Sequence, residues 1–405
     1  MQFAKENMDT CGNLNRKVKI MKRKLRMGMV GGGTGAFIGA VHRMAAALDN
    51  EIELVCGAFS ANPKKSKASG KALKLPPERV YGSYAEMIAR EKKLPEGERM
   101  DFVSIVTPNH VHFAPADMAL RNGFHVICDK PMTFNLDEAR KLEKTVKKSG
   151  LVFALTHIYT GYPLVKEARN MVRAGKLGKI RKIVVEYPQG WLATKIEAQG
   201  QKQASWRTDP KKSGACGCMG DIGTHAANLA EYISGLHIKE LCADLTTFVP
   251  GRKLEDDGNV LVRFNNGARG VLYASQISVG EENHINIRIY GEKGALEWDQ
   301  QEPNSLIARW LDRPMEILRT SVGPFGNAAT FNTRLPAGHP EGFIEAFANI
   351  YRNFALTVQC RIEGKKPKPE YLDFPTVTDG VRGMAFIETL VASAKKGSKW
   401  VKFIK

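Results

Sequence analysis

No stretch of this chain reaches about 18 uninterrupted apolar residues, so no membrane-spanning helix is expected. Cysteine is scarce: Cys11, Cys56, Cys128, Cys216, Cys218, Cys242 and Cys360 are odd in number and scattered. That argues against a disulfide framework and for a reducing compartment, the cytoplasm. Only Cys216 and Cys218 stand close together; without a second Cys or His pair at finger-like spacing, no metal site is expected. The basic tail lacks an apolar segment flanked by a cleavage site, so it is not a secretory signal. Internal repeats are absent as well. The net charge of +18 raises the question of nucleic acid, but the basic residues are spread along the chain. Their densest cluster, seven Lys/Arg within residues 1–25 against Glu6 and Asp9, has no aromatic interleaving and no binding motif. No nucleic-acid partner is expected; a positive field favours small anionic ligands instead.

What is present is a two-domain enzyme-like chain. At 405 residues it exceeds what one core usually supports. Residues 1–24 read as a basic extension, of which 1–20 are dispensable if Met21 is the start. Residues 25–156 hold six candidate strands: Leu25–Val30, Glu51–Phe59, Val80-Tyr81, Asp101–Val106, Val126–Cys128 and Leu151–Thr156. Helical segments separate them, the rhythm of a parallel sheet. Ligands of such sheets bind outside the carboxyl ends of the strands. Four features fall there. Gly31 and Gly33 open a glycine-rich turn that reaches Gly39 and leads into a helix, as a pyrophosphate site requires. The second strand ends at Ser60 with no acid to hold a ribose, and Lys64 and Lys65 follow, leaving NAD and NADP both open. Thr107, Pro108, Asn109 and His112 follow the next strand. Asp129 and Lys130, stopped by Pro131, follow the one after.

Residues 157–405 change character. Strand-type runs at Ile180–Tyr187, Ile238–Phe248, Val260–Phe264, Ala268–Gln276, Asn283–Tyr290 and Ala295–Trp298 predict a mostly antiparallel sheet. Asn265-Asn266-Gly267 is a hairpin turn between two of them. Late helices at Gly342–Phe354 and Val377–Ala394 are expected to pack on this sheet. Within this half, a glycine-rich lead-in reaches Asp221 and His225, four apart and hence on one face of a helix start. A neutral histidine beside an aspartate can take a hydroxyl proton near pH 7.

The glycine-rich turn, Thr107-Pro108-Asn109, Asp129-Lys130-Pro131 and Gly220-Asp221-Ile222-Gly223-Thr224-His225, in this order, resemble the Gfo/Idh/MocA oxidoreductases from about Leu25 onward. The resemblance implies a Rossmann doubly wound parallel sheet followed by an open, mostly antiparallel α+β domain, an α/β plus α+β chain. It implies oxidation of a secondary alcohol of a sugar, glycoside or polyol with NAD(P), in a homo-oligomer (dimer or tetramer). Lys130 matches the lysine that bonds the reacting oxygen, His225 the proton acceptor, and Asp221 the acid that orients it. The chain departs from the pattern in Asp129 for the usual glutamate, in Thr160-Gly161-Tyr162-Pro163 where an arginine is common, and in a longer glycine loop. His157, Tyr159, Trp191, Arg207 and His339 are candidate substrate contacts. Two other readings remain: transient oxidation with the cofactor recycled, giving elimination, epimerisation or glycoside cleavage; and a non-catalytic dinucleotide-binding regulator.

Overall fold

The computed structural model describes residues 23–404. All of the basic extension except Arg23 and Lys24 therefore lies outside the described residues, as does the proposed start at Met21. The first half forms a five-stranded sheet of β1 (Leu25–Gly31), β2 (Ile52–Ala58), β3 (Phe102–Val106), β4 (His125–Cys128) and β5 (Phe153–Leu155). All neighbours are parallel, in the order β2-β1-β3-β4-β5. Connections leave β1 in one direction and return past it in the other, so right-handed crossovers place helices on both faces. With both faces covered, β3 and β4 are buried at every residue. The helices carry local stop and start signals. Leu136–Ser149 begins where the Asn135 side chain accepts the Glu138 amide, has Asp137 and Glu138 in its first turn and Lys147 and Lys148 in its last, and stops at left-handed Gly150. Of the six expected strands, Val80-Tyr81 alone is not formed as one; it is an isolated bridge from Val80 to Gly57.

The second half is built on a nine-stranded sheet: β6 (Lys182–Pro188), β7 (Ile238–Thr246), β8 (Asp257–Phe264), β9 (Arg269–Ser275), β10 (Asn286–Tyr290), β11 (Gly294–Asp299), β12 (Ser305–Trp310), β13 (Glu316–Arg319) and β14 (Val401–Lys402). Their order is β13-β12-β11-β10-β6-β9-β8-β7-β14, antiparallel except for the parallel pair β6–β9. β8 and β9 are the expected hairpin around Asn265-Asn266-Gly267. Three short strands, β12 to β14, were not expected.

The late helices depart from the expectation. Phe343–Ile362 packs on the first half, not on the second sheet. Its Phe354 ring meets Phe102 of β3 at 5.0 Å. The Tyr351 hydroxyl lies 2.8 Å from Ser104 Oγ and 2.7 Å from His42 Nδ1. Val377–Lys395 spans both halves: Glu388 accepts the Leu136 amide at 2.9 Å, and Ser393 Oγ accepts the Ala243 amide of β7 at 2.9 Å. The two halves therefore share a core, and the crevice between them is held by packed helices.

Candidate active site

The carboxyl ends of β1, β2, β3 and β4 open into a cavity of about 1270 Å³ whose far wall comes from the second half. That exceeds the volume of a usual small-ligand pocket and suits a dinucleotide with a second ligand. Gly31 and Gly32 have φ of +83° and +67°, which L side chains rarely adopt. A Cβ on Gly31 would stand 2.8 Å from Thr107, and one on Gly33 2.7 Å from Ser69 Oγ. The turn thus lies flat against the strand ends, and the helix Phe37–Leu48 starts directly after it. This backbone cradle at a helix start fits a pyrophosphate. Gly39 serves differently: its Cα side faces Gly32, with a Cβ clashing at 2.3 Å, so it sets the approach of helix to strand and does not line the cavity.

At the other end, Lys130 reaches across from β4. Its Nζ donates to Asp221 Oδ1 at 2.8 Å and to the Asp221 carbonyl at 2.5 Å. Asp221 Oδ2 accepts from Arg207 Nε at 3.0 Å and Gln276 Nε2 at 2.9 Å. Asp221 sits in a widened helical turn, Met219–Gly223, closed by the Thr224 amide on the Met219 carbonyl five residues back. Such turns recur at functional sites. Burial alone would raise the Asp221 carboxyl, but Arg207 and Lys130 hold it well below the usual carboxylate range. Breaking such a buried pair from one side is costly, because the partner charge is left unpaired.

His225 lines the same cavity four residues on, and its Nδ1 lies 3.2 Å from Nδ1 of His157. No protein partner engages its Nε2 among the described residues. Burial pushes its imidazole well below the ordinary range, and Lys130 and His157 act in the same direction. A neutral imidazole with one nitrogen on His157 and the other toward the cavity can accept a proton there. The expected Asp221–His225 pair is not formed. Asp221 is engaged by Lys130, Arg207 and Gln276, and the widened turn carries it off the face that His225 occupies.

Of the residues nominated from sequence, Gly31, Gly33, Ser60, Thr107, Pro108, Asn109, Asp129, Lys130, Tyr159, Arg207, Asp221 and His225 line the cavity. Others do not. Of the two lysines after Ser60, Lys65 lines the cavity and Lys64 is exposed off its wall. His112 is buried as a brace, its ring nitrogens 2.8 Å from the Pro131 carbonyl and 2.7 Å from that of Thr107. It ties the ends of β3 and β4 together. His157 stands behind His225, and burial, reinforced by Lys130, lowers it to about 3. Trp191 donates to Gln189 at 3.0 Å outside the lining, whereas Trp206 is on the wall with the Arg207 guanidinium 4.3 Å above its ring. His339 is exposed in a loop away from the cavity, its Nδ1 3.3 Å from the Pro336 carbonyl. Sequence reasoning missed Gln276, Tyr187, Asn283 and Gln189. All four lie at or beside the ends of strands, a position that could have marked them. No group of three or more His, Cys, Asp or Glu is placed to hold a metal among the described residues. Cys216 and Cys218 are both buried.

A glycine cradle on a parallel sheet, facing an acid-anchored lysine and a neutral histidine across a shared cavity, defines a dinucleotide-dependent oxidoreductase. Comparison with known proteins gives the family. Residues 25–157 match the oxidoreductase family with an NAD-binding Rossmann fold, and residues 165–297 match the GFO/IDH/MocA C-terminal domain. The chain belongs to the GFO/IDH/MocA oxidoreductases. It is similar to an inositol dehydrogenase homolog from Azotobacter vinelandii, solved with NAD+: TM-score 0.89, 34% identity, 94% of this chain and 98% of that one. It is 34% identical to the uncharacterized oxidoreductase YfiI of Bacillus subtilis, over 95% of this chain and 98% of the relative. To the levoglucosan dehydrogenase of Pseudarthrobacter phenanthrenivorans it is 26% identical, over 94% of this chain and 98% of the relative. The first half is thus an NAD-binding Rossmann domain and the chain an oxidoreductase. No helix among the described residues is long and apolar enough to cross a membrane.

Proposed function

We propose that this enzyme oxidises a secondary alcohol of a sugar, glycoside or polyol, with Lys130, Asp221 and His225 as its catalytic groups. One observation carries the reading: a lysine from the first half and a histidine from the second meet at one cavity wall beside a dinucleotide cradle. Residues 25–156 hold the cofactor and 157–405 the substrate. A bound nicotinamide supplies the hydride acceptor. His225 Nε2 takes the hydroxyl proton as the carbinol is oxidised. The Lys130 ammonium, oriented by Asp221, stabilises the developing alkoxide. Arg207 and Trp206, together with Tyr159 elsewhere on the cavity wall, give the planar polar and aromatic surfaces that sugar hydroxyls and ring faces bind. Relatives named for inositol and levoglucosan support the substrate class.

Ser60 and Lys65 line the cavity and no acid ends β2, which keeps NADP open beside NAD. Cytoplasmic location agrees with six free cysteines among the described residues. Assembly into a dimer or tetramer through the second sheet agrees with apolar side chains such as Leu261 and Ile317 exposed on its strands. The deciding experiment is an absorbance screen at the reduced-nicotinamide band across sugars, glycosides and inositols with both cofactors. Accumulating reduced cofactor supports the dehydrogenase. Product without net reduced cofactor replaces it with the recycling reaction, and binding without turnover replaces it with a regulator.

A further inference from the structure

Six charged side chains line the cavity among the described residues, apart from His225: Lys65, Asp129, Lys130, Lys202, Arg207 and Asp221. Lys130 and Arg207 are both paired with Asp221. Lys65 and Lys202 have no carboxylate within ion-pair distance. Lys202 differs from Lys65 in origin. It belongs to the second half, yet its Nζ lies 3.5 Å from the carbonyl of Gly35, at the end of the glycine-rich turn. A neutral carbonyl at that distance is a weak partner for an ammonium. The side chain is exposed and the backbone beside it is open, since a Cβ on Gly35 would meet nothing within 4 Å. A lysine is a compact charge on a flexible stem, suited to reaching an anion that enters beside it.

The short helix that carries it, Lys202–Arg207, also reaches the other end of the cavity. Arg207 donates to Asp221, and Gln203 accepts from Arg207 Nη1 at 2.8 Å. One rigid turn and a half thus places an uncompensated cation over the glycine turn and a compensated one on Asp221.

From this juxtaposition we infer that Lys202 is a cofactor-binding residue supplied by the substrate half, a counter-charge for the pyrophosphate held by the glycine turn. The inference rests on the reading of this cavity as a dinucleotide site. Its consequence is that cofactor affinity depends on the placement of the 202–207 helix. The phosphate and the Asp221 cluster are read by the same element.

The test is calorimetric titration of the full chain with NAD+, with ADP-ribose (the same pyrophosphate without nicotinamide) and with adenosine (no phosphate). Lys202→Gln is expected to weaken NAD+ and ADP-ribose about five- to twentyfold, as for a charge-assisted contact to an anion, and to leave adenosine unchanged. Lys202→Arg is expected to restore binding to within about threefold, since the charge is kept. The gap between wild type and Lys202→Gln should close as salt rises. Unchanged NAD+ affinity in Lys202→Gln at low salt overturns the inference. Equal loss of NAD+ and adenosine also overturns it, since that marks a disturbed fold and not a phosphate contact. A wild-type chain that binds neither NAD+ nor ADP-ribose overturns the dinucleotide reading itself, so the two failures are distinguishable.

Discussion

At the glycine-rich end of the cavity the chain offers backbone: a turn with positive φ at Gly31 and Gly32, a helix start, and two lysines without acidic partners. At the Asp221 end it offers side chains whose charges answer one another, Lys130 and Arg207 against one carboxylate. The difference follows from what each end must hold. A pyrophosphate brings its own negative charge, so its site is left positive and open. A reacting alcohol is neutral until the transition state, so the charges at its site must be held and oriented beforehand. At the first end a single side-chain loss should therefore cost modest cofactor affinity, and added bulk in the turn should cost affinity and stability together. At the second end a single side-chain loss should cost turnover, because the charges there are arranged against one another.

The largest effect should come from removing chemistry while leaving binding. Lys130→Ala and His225→Ala are each expected to lower turnover by about two to four orders of magnitude, the range for lost acid–base and electrostatic groups. Their affinity for NAD+, measured by calorimetry, should stay near that of the wild type. Near-wild-type turnover in both variants would remove the proposed mechanism.

The next effect concerns how the Asp221 end is held. Glu255 Oε1 accepts the amides of Gly217 at 2.8 Å and Met219 at 3.1 Å, securing the start of the turn that carries Asp221. Burial raises this carboxyl to about 7, against a usual value of 4.5. A raised acid contributes stability in full below its unfolded value and loses it as pH rises through about 7. That contribution is on the order of 3 kcal/mol. Melting temperature should therefore fall between pH 5 and 8, and Glu255→Gln should flatten the profile in that window. A slope that survives in Glu255→Gln would assign the effect to another group. His157 works at the acid side: its depressed value means stability present above 6.5 and lost as pH falls toward about 3.

A smaller effect is expected at the backbone end, from adding a single carbon. In Gly39→Ala the new Cβ would meet the Gly32 Cα at 2.3 Å and its carbonyl oxygen at 2.6 Å, and backbone cannot swing aside as a side chain can. Overpacking of this kind costs about 1–3 kcal/mol. A lowered melting temperature should come with NAD+ affinity weakened about tenfold, since the cradle itself is displaced. Loss of stability without loss of affinity would show that helix packing and cradle are separable.

The residues that were legible in the sequence were those with a local signal. Lys130 stands where an apolar strand stops at a proline, Asp221 and His225 follow a run of glycines, and Asn135 announces its helix. All of these are events within a few residues. What could not be read was partnership. Four-residue spacing suggested that Asp221 faces His225, but that holds only for a regular helical turn, and the turn here is wider. The helix Phe343–Ile362 has an evident apolar face, yet its pattern does not say which sheet that face meets. Gln276, Tyr187 and Asn283 join the site because β9, β6 and β10, far apart in the chain, are neighbours in the second sheet, which no local pattern records. Trp206 and Trp191 are equivalent in sequence, and only the path of the loop distinguishes them.

The smallest effect is the sharpest test of where the cavity's edge runs. Lys64 and Lys65 are adjacent in one helix, Pro63–Ala72, and both are exposed; only Lys65 is on the cavity wall, near Ser60. Successive helical residues point about 100° apart, so a charge on one cannot substitute for the other at a fixed ligand. Lys65→Ala should weaken NADPH about fivefold and NADH less, because a 2′-phosphate is the group within reach of the strand end. Lys64→Ala should leave both within about twofold, as solvent-exposed lysines contribute little. Paired titrations of the two variants with both cofactors measure this directly. Equal losses in the two would mean a diffuse field acts at this end, and a loss confined to Lys65 would mean a defined contact does.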